Sequence, residues 1–578
     1  VPEVLSTTAG PAAVRLLQQV IAARQEQDPL APVTVVVPSN YAGLSLRRRL
    51  AAIPPGLVNV GFMALARLAE LLGAPALARA GRRPLGSAVL AHAVRHALAA
   101  NPGVFKEVAS HPATERALVR AYHDLRSHSP PALDALSRHS ERVADVVRLV
   151  QDVRARLVDA FYDDHDLLHA ATAAARAGPV ALADVGAVVV FASRGLDPPE
   201  QAFLDALGDR ATVIHAVVDR DAPAEVHEIV SAPDPDQEVR AALRGVMDRL
   251  DRGVPLHRMA VLHPAAQPYA LLVSQHLAAA GIPANGPPVR RLRDHVAGVA
   301  LLGLLKLPEC GWHREDVVAW LSSAPVLDAD RNVVPASAWD SVSRAAGVVE
   351  GAEQWQERLA RHAAAAAEAL AELGDAEEDE TGHRSRRHLE RQRERAESLR
   401  RFMADLVAAV DPAACRTWAD YTAWAAGLLD RYLGGEAAHG SWPEVERDGW
   451  RSVRLALDEL AGLDTAVASE RGERVEPAVF LRALDQQLDA PAGRLGAFGD
   501  GVFVGPLRAA RATDFDTVFV LGAAEGTLPA TDRSQQGLLP ATAPDQGPLA
   551  DDHEDFLAAL AAAPERVVLW PRLDPRRG

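Results

Sequence analysis

Chemistry that needs lysine or cysteine has few places to occur in this chain. Of 61 basic residues only Lys106 and Lys306 are lysine, the other 59 being arginine, and Cys310 and Cys415 are the two cysteines. Neither Val104-Phe105-Lys106-Glu107 nor Leu305-Lys306-Leu307 has a glycine-rich loop before its lysine, so neither can cradle phosphates. Two cysteines make no disulfide framework, four-thiolate zinc site or four-cysteine iron–sulfur site, and they read as core thiols. His263, His276 and His313 lack a second metal ligand at useful spacing, and no G-x-S-x-G elbow is present. No catalytic residue, metal ligand or cofactor follows from these side chains.

Arginine remains, and it clusters. The densest cluster, Arg384, Arg386 and Arg387 with Arg391, Arg393 and Arg395, follows Glu377-Glu378-Asp379-Glu380 and interleaves Glu390, Glu394 and Glu397 at helical spacing. That is the pattern of a solvated, self-paired helix. Arg47-Arg48-Arg49 and Arg290-Arg291-Arg293 have fewer acidic neighbours and are candidate phosphate contacts. Trp418, Tyr421 and Trp424 recur at i, i+3, i+6, which suggests base stacking but on a helix is the spacing of core.

A chain of 578 residues outgrows one core and implies two to four domains. With 48% hydrophobic and 24% charged residues it is globular rather than disordered. A net charge of −16 excludes bulk coating of nucleic acid and leaves room only for a locally basic channel. No apolar run approaches the roughly 18–20 residues of a bilayer span, and no signal-type N-terminus is present, so the chain reads as cytoplasmic with no membrane partner.

The elements that must position these side chains follow an α/β rhythm. An extended N-terminal stretch leads through Ser6–Pro11 into a helix over Ala12–Arg24, and Val33–Val37 is a buried strand ended by Pro38-Ser39-Asn40. Residues 76–178 are helical, with one helix expected over Ala144–Tyr162. Strands return at Val185–Phe191 and Ala211–Val218. A second set follows at 226–230, Met259–Leu262, Gly501–Val504, Thr517–Leu521 and Arg566–Trp570, with helices over Asp234–Asp251 and Pro268–Ala280. From about 295 to 495 the pattern is again helical. The acidic stretch Gly374–Thr381 is the expected first site of proteolysis.

Four blocks in this order resemble the UvrD/RecB-like superfamily 1 helicases, and most closely the AddB-type subunit of bacterial helicase-nuclease complexes. They are the small-residue turn Ala9-Gly10-Pro11-Ala12-Ala13, where the family has its phosphate loop, and Val35-Val36-Val37-Pro38-Ser39-Asn40, similar to its DNA-contacting loop. The third is Ser231–Arg240 with Met259–Leu262 and Ala280-Gly281-Ile282-Pro283, and the fourth is Ala510–Gly522 continuing through Glu525-Gly526 to Pro529. The resemblance implies two RecA-like parallel-sheet domains, each with a mainly helical insertion. The first would comprise 1–75 plus 180–228 with 76–179 inserted, and the second 229–305 plus 500–578 with 306–499 inserted. Single-stranded DNA would cross their tops.

The same comparison implies that nucleotide chemistry has been lost. The phosphate loop of the family ends in lysine and a hydroxyl residue, whereas Gly10-Pro11-Ala12-Ala13-Val14-Arg15-Leu16-Leu17 offers Arg15 or Leu16 and no hydroxyl. The Asp-Glu that normally ends the second block is replaced by Ala192-Ser193-Arg194, and Asp197 and Glu200 downstream are a helix start. Two phosphate-reaching arginines give way to Leu262-His263-Pro264 and to the alanines of Ala559–Ala563.

The leading expectation is therefore an inactivated helicase-like DNA-binding region of an AddB-type double-strand-break repair protein, holding or scanning single-stranded DNA for a helicase or nuclease partner. The alternatives are an active translocase with an unorthodox nucleotide site and a scaffold that has lost DNA contact as well. Ser39, Asn40, Arg47, Arg48, Arg508 and Arg511 are the positions that the resemblance places nearest DNA. For Arg511 the other reading is a brace to Asp514 or Asp516. The family's nuclease domain, with its divalent metal and iron–sulfur cluster, cannot lie within this chain. The end at Pro571–Gly578 reads as truncation of a longer protein.

Overall fold

The computed structural model describes residues 2–178, 182, 184–192, 196–218, 225–372, 380–466, 474–528, 537–540 and 548–572. Ser193 and Arg194, most of the Gly374–Thr381 stretch, Pro529 and the last six residues lie outside them.

The first sheet is built from β1 (Glu3–Thr8), β2 (Val33–Val37), β3 (Val60–Ala64), β6 (Ala187–Ala192) and β7 (Ala211–Val217). All five run parallel in the order β1-β7-β6-β2-β3. Every residue of β2 is buried, as a strand covered on both faces by crossover helices must be. Those helices are α1 (Pro11–Arg24), α2 (Asn40–Ala51), α3 (Leu65–Arg79), α8 (Asp164–Arg176) and α9 (Pro198–Leu207). Between α3 and α8 lie α4 (Ser87–Ala100), α5 (Pro112–Leu125), α6 (Pro130–Ser137) and α7 (Glu141–Leu157). Short strands β4 (Arg83–Pro84) and β5 (Phe161–Tyr162) pair at the base of this insertion. The helix expected through Tyr162 thus stops at Leu157. Tyr162 is taken into the β4–β5 pair, and Asp163 caps α8 by accepting from the Asp166 N–H at 3.0 Å.

The second sheet comprises β8 (Glu228–Ala232), β9 (Met259–His263), β10 (Ala284–Asn285), β11 (Val502–Pro506), β12 (Thr517–Val520) and β13 (Glu565–Pro571). Its order is β10-β11-β9-β12-β13-β8, again all parallel, with Val261 opposite both Val504 and Phe519. The helices α10 (Pro235–Asp251) and α11 (Tyr269–Ala279) cover one face, and α21 (Pro548–Ala561) packs on the other. Val33–Val37 and Thr517–Val520 lie in different sheets. The protein is an α/β structure with two RecA-like parallel sheets, each interrupted by helices.

Between β10 and β11 the chain forms α12 (Val296–Lys306), α13 (Arg314–Ser323), α14 (Ala336–Ala345), α15 (Ala352–Glu372) and α16 (Glu380–Ala409). It continues through α17 (Trp418–Leu433), α18 (Glu444–Ala461), α19 (Leu463–Ala466) and α20 (Pro477–Leu488). The chain divides into two compact units: residues 1–86, 90–289 and 494–578, which hold both sheets and the first insertion, and residues 87–89 with 290–493. Within the second unit Trp418 and Tyr421 are buried, Tyr421 stacks on Phe480 at 5.0 Å, and the Trp424 indole donates to the Ala409 carbonyl at 2.9 Å. These aromatics are core. Among the described residues no helix is long and apolar enough to cross a membrane.

Candidate functional site

At the carboxyl end of β1 the backbone turns through Gly10 at φ 91° into α1, with Pro11 at the first helical position. A helix N-terminus reached from a parallel strand is where a nucleotide's phosphates would sit. Here that place is filled. A Cβ on Gly10 would lie 2.9 Å from the Ala561 carbonyl oxygen of α21. The space left around Gly10, lined by Val14, Leu46, Phe191, Ala558 and Ala561, is about 30 Å³. That is about the volume of one water, against the several hundred Å³ of a typical ligand site (about 300–1,000 Å³). Ala12 is half-buried, and Arg15 points away as an exposed side chain.

The other positions at which the resemblance implies a loss of nucleotide chemistry have structural roles. His263 ends β9 fully buried, and burial first, then the nearby Arg508 charge, pushes its imidazole down to about 4 against a bond to the Ala265 backbone, so it is neutral at pH 7. Ala559, Ala562 and Ala563 are core residues of the second sheet. Glu200 accepts from the Asp197 N–H at 2.9 Å and Asp197 precedes α9, the helix start expected of that pair. Among the described residues no group of three or more His, Cys, Asp or Glu comes together in a metal-binding arrangement.

The expected DNA-facing residues fall at two separate ends of the fold. Ser39 and Asn40 follow the carboxyl end of β2, where the Ser39 hydroxyl caps α2 by accepting from the Ala42 N–H at 3.1 Å and Asn40 is exposed. Arg508 follows the carboxyl end of β11 and is exposed. Arg47 and Arg48 lie two turns along α2, about 12 Å from Asn40 at 1.5 Å per residue. There Arg48 donates to the Gly499 carbonyl at 2.8 Å, just before β11 begins. Arg47 is exposed with no ion-pair partner among the described residues, and Arg49 pairs with Asp514 at 3.3 Å.

Arg511 is only 14% exposed, its Nε 2.6 Å from an Asp555 oxygen and its Nη2 3.8 Å from Glu554. Asp514 and Asp516, the braces suggested by sequence, are held instead by Arg258 at 3.1 and 2.7 Å. Arg511 therefore ties the loop after β11 to α21, and Arg511→Ala is expected to cost about 1–3 kcal/mol by leaving Asp555 half-buried and unpaired. Thermal unfolding of the variant checks this. Melting as wild type together with a reduced salt slope of DNA binding would return the residue to the DNA surface.

Three features escaped sequence reading. The first is a latch between the two sheets: Tyr41 of α2 stacks on Phe503 at 4.0 Å, and the Ser45 hydroxyl accepts from the Asp514 N–H at 3.1 Å. The second is Glu238, a fully buried carboxylate on α10 that accepts from the Gly522 N–H at 2.6 Å and the Tyr269 hydroxyl at 2.8 Å. The third is a cleft of about 700 Å³ on the α10 face of the second sheet, floored by Phe519, Val567 and Leu569, which none of the expected site residues lines. No family model matches the chain, and no curated protein does.

Proposed function

We propose that this chain is the helicase-like region of an AddB-type DNA-repair protein that has given up nucleotide turnover. It holds or scans single-stranded DNA in the cytoplasm while a partner helicase or nuclease performs the chemistry. The observation that carries the reading is the Ala561 carbonyl seated against Gly10. Two RecA-like sheets that crowd the turn after the first strand with alanine and main chain offer nucleotide phosphates no room at that turn. The Tyr41 and Ser45 contacts to Phe503 and Asp514 support it, because they join the two sheets, and movement of one sheet against the other would break them. Exposed Arg47 and Arg508 supply cations for phosphate contact on an otherwise acidic molecule.

The purified chain is expected to show no ATPase above background with or without single-stranded oligonucleotide. Loss of even one transition-state cation or metal-holding acid commonly costs on the order of 10²-fold or more in rate. DNA-stimulated turnover of about one per second, within the ordinary range for enzymes, would refute the reading. The same preparation should bind single strands with an affinity that falls with salt at a slope of about 0.7 per phosphate neutralised.

A further inference from the structure

Phe498 is the one phenylalanine among the large apolar side chains that the described residues leave exposed, at 47%. Its exposure does not come from a frayed loop. Leu495 exchanges backbone hydrogen bonds with Gly286 at 3.2 and 3.1 Å. Gly496 and Gly499 have φ of 57° and 75°, and a Cβ at Gly496 would lie 1.9 Å from the Ala284 carbonyl oxygen, so only glycine lets the chain pass there. The ring is seated edge-on to Tyr41, with centroids 6.3 Å apart, at the outer end of the stack that Tyr41 makes with Phe503.

Cations lie to one side of it. The Arg494 guanidinium sits over one face of the ring, 4.8 Å from its centroid. The bond from Arg48 to the Gly499 carbonyl brings the arginine end of α2 to the same loop, with exposed Arg47 beside it. Among the described residues neither Arg494 nor Arg47 has a carboxylate partner, and Asp500 is the loop's own exposed acid. Nearby His257 titrates below its ordinary value, through burial first and then Arg48 and Arg258, which act ahead of Asp516 and Asp500.

A half-exposed ring on a rigid loop, with a guanidinium over one face and exposed Arg47 on the adjoining helix end, offers what a nucleobase and its phosphates need: every base has a face to stack, and the guanidinium groups meet the backbone. We infer that Phe498, with Arg494 and Arg47, forms a base-stacking platform for single-stranded nucleic acid at the amino end of β11. This rests on the DNA-binding reading above but moves the contact to the opposite end of β11 from Arg508.

The test uses the whole chain and two fluorescein-labelled probes of about 20 units, oligothymidylate and an abasic strand of equal length. Phe498→Ala is expected to weaken thymidylate binding about five- to a hundredfold, with abasic binding, salt slope and melting as in wild type. Phe498→Trp should restore it. Arg47→Ala and Arg494→Ala should each lower the salt slope by about 0.7 on both probes. If wild type prefers thymidylate and Phe498→Ala keeps that preference, stacking occurs elsewhere and the inference falls while the DNA reading stands. Equal wild-type affinity for both probes means the patch reads charge alone and also overturns it. No binding of either probe by the wild type overturns the DNA-binding reading itself.

Discussion

Replacing Asp163 with alanine is expected to destabilise the first helical insertion by about 3 kcal/mol, the lower end of what removing one partner of a buried pair costs. Asp163 accepts from the Arg126 Nε and from its Nη2 at 2.7 Å, from the Tyr122 hydroxyl at 2.8 Å, and from the Asp166 N–H at 3.0 Å as the cap of α8. Arg126 is itself buried, so its charge would be left in the interior. Asp166, 2.9 Å away, retains part of the pairing, which is why the low end is expected. Burial alone would raise the Asp163 carboxyl, but the bonds from Arg126, the Asp166 N–H and Tyr122, with the Arg126 charge, hold it well below the usual carboxylate range. A depressed pKa stabilises above the unfolded value, near 4, and that stability is lost as pH falls through the folded one. Amide exchange of α5 and α8 should therefore be faster in the variant at pH 7, with the gap to wild type beginning to narrow below about pH 4, where the unfolded carboxyl protonates, and closing as pH falls through the folded value. Equal protection of both helices at pH 7 would refute the role. Exchange suits a chain of two compact units, whose global unfolding need not be two-state.

The strands most legible in the sequence are those buried on both faces. Val33–Val37 reads as a continuous apolar run because crossover helices leave it no solvent side, and it forms over the same residues. The strand Val60–Ala64 was not legible: it is an edge strand, partly exposed, and Gly61 interrupts its apolar character. Site residues were less legible than strands because their roles depend on partners far along the chain. Arg511 has acids three and five residues on, yet its partner is Asp555, 44 residues away. Phe498 lies in a glycine-rich connection that looks like any loop, and only the arrival of α2 and Arg494 gives it surroundings. Glu238 is one of several acids at the start of α10, where acidic residues suit the helix dipole. Nothing local distinguishes the half-buried Asp236 from the fully buried Glu238. The difference is made by Gly522, 284 residues later.

That buried carboxylate yields the prediction of opposite sign. Burial pushes Glu238 up to about 7, and the hydrogen bonds from the Gly522 N–H and the Tyr269 hydroxyl recover only part of the cost of its charge. A raised folded pKa means that its stability contribution is complete below the unfolded value, near 4.5, and is lost as pH rises through about 7. Glu238→Gln keeps an oxygen to accept from Gly522 and offers an N–H₂ to the Tyr269 oxygen, but carries no charge to desolvate. The variant should match wild type near pH 5 and exceed it at pH 8 by up to about 3 kcal/mol, the free-energy equivalent of the shift. Glu238→Ala should lose stability at both pH values, because it removes the acceptor of the buried Gly522 N–H. Thermal midpoints of the three proteins between pH 5 and 8.5 decide it. A Glu238→Gln difference that stays constant with pH would show that the carboxylate is ionised at no cost. In that case the loop beginning at Gly522 would be anchored by a charged group, and Glu238→Gln would weaken that anchor at every pH.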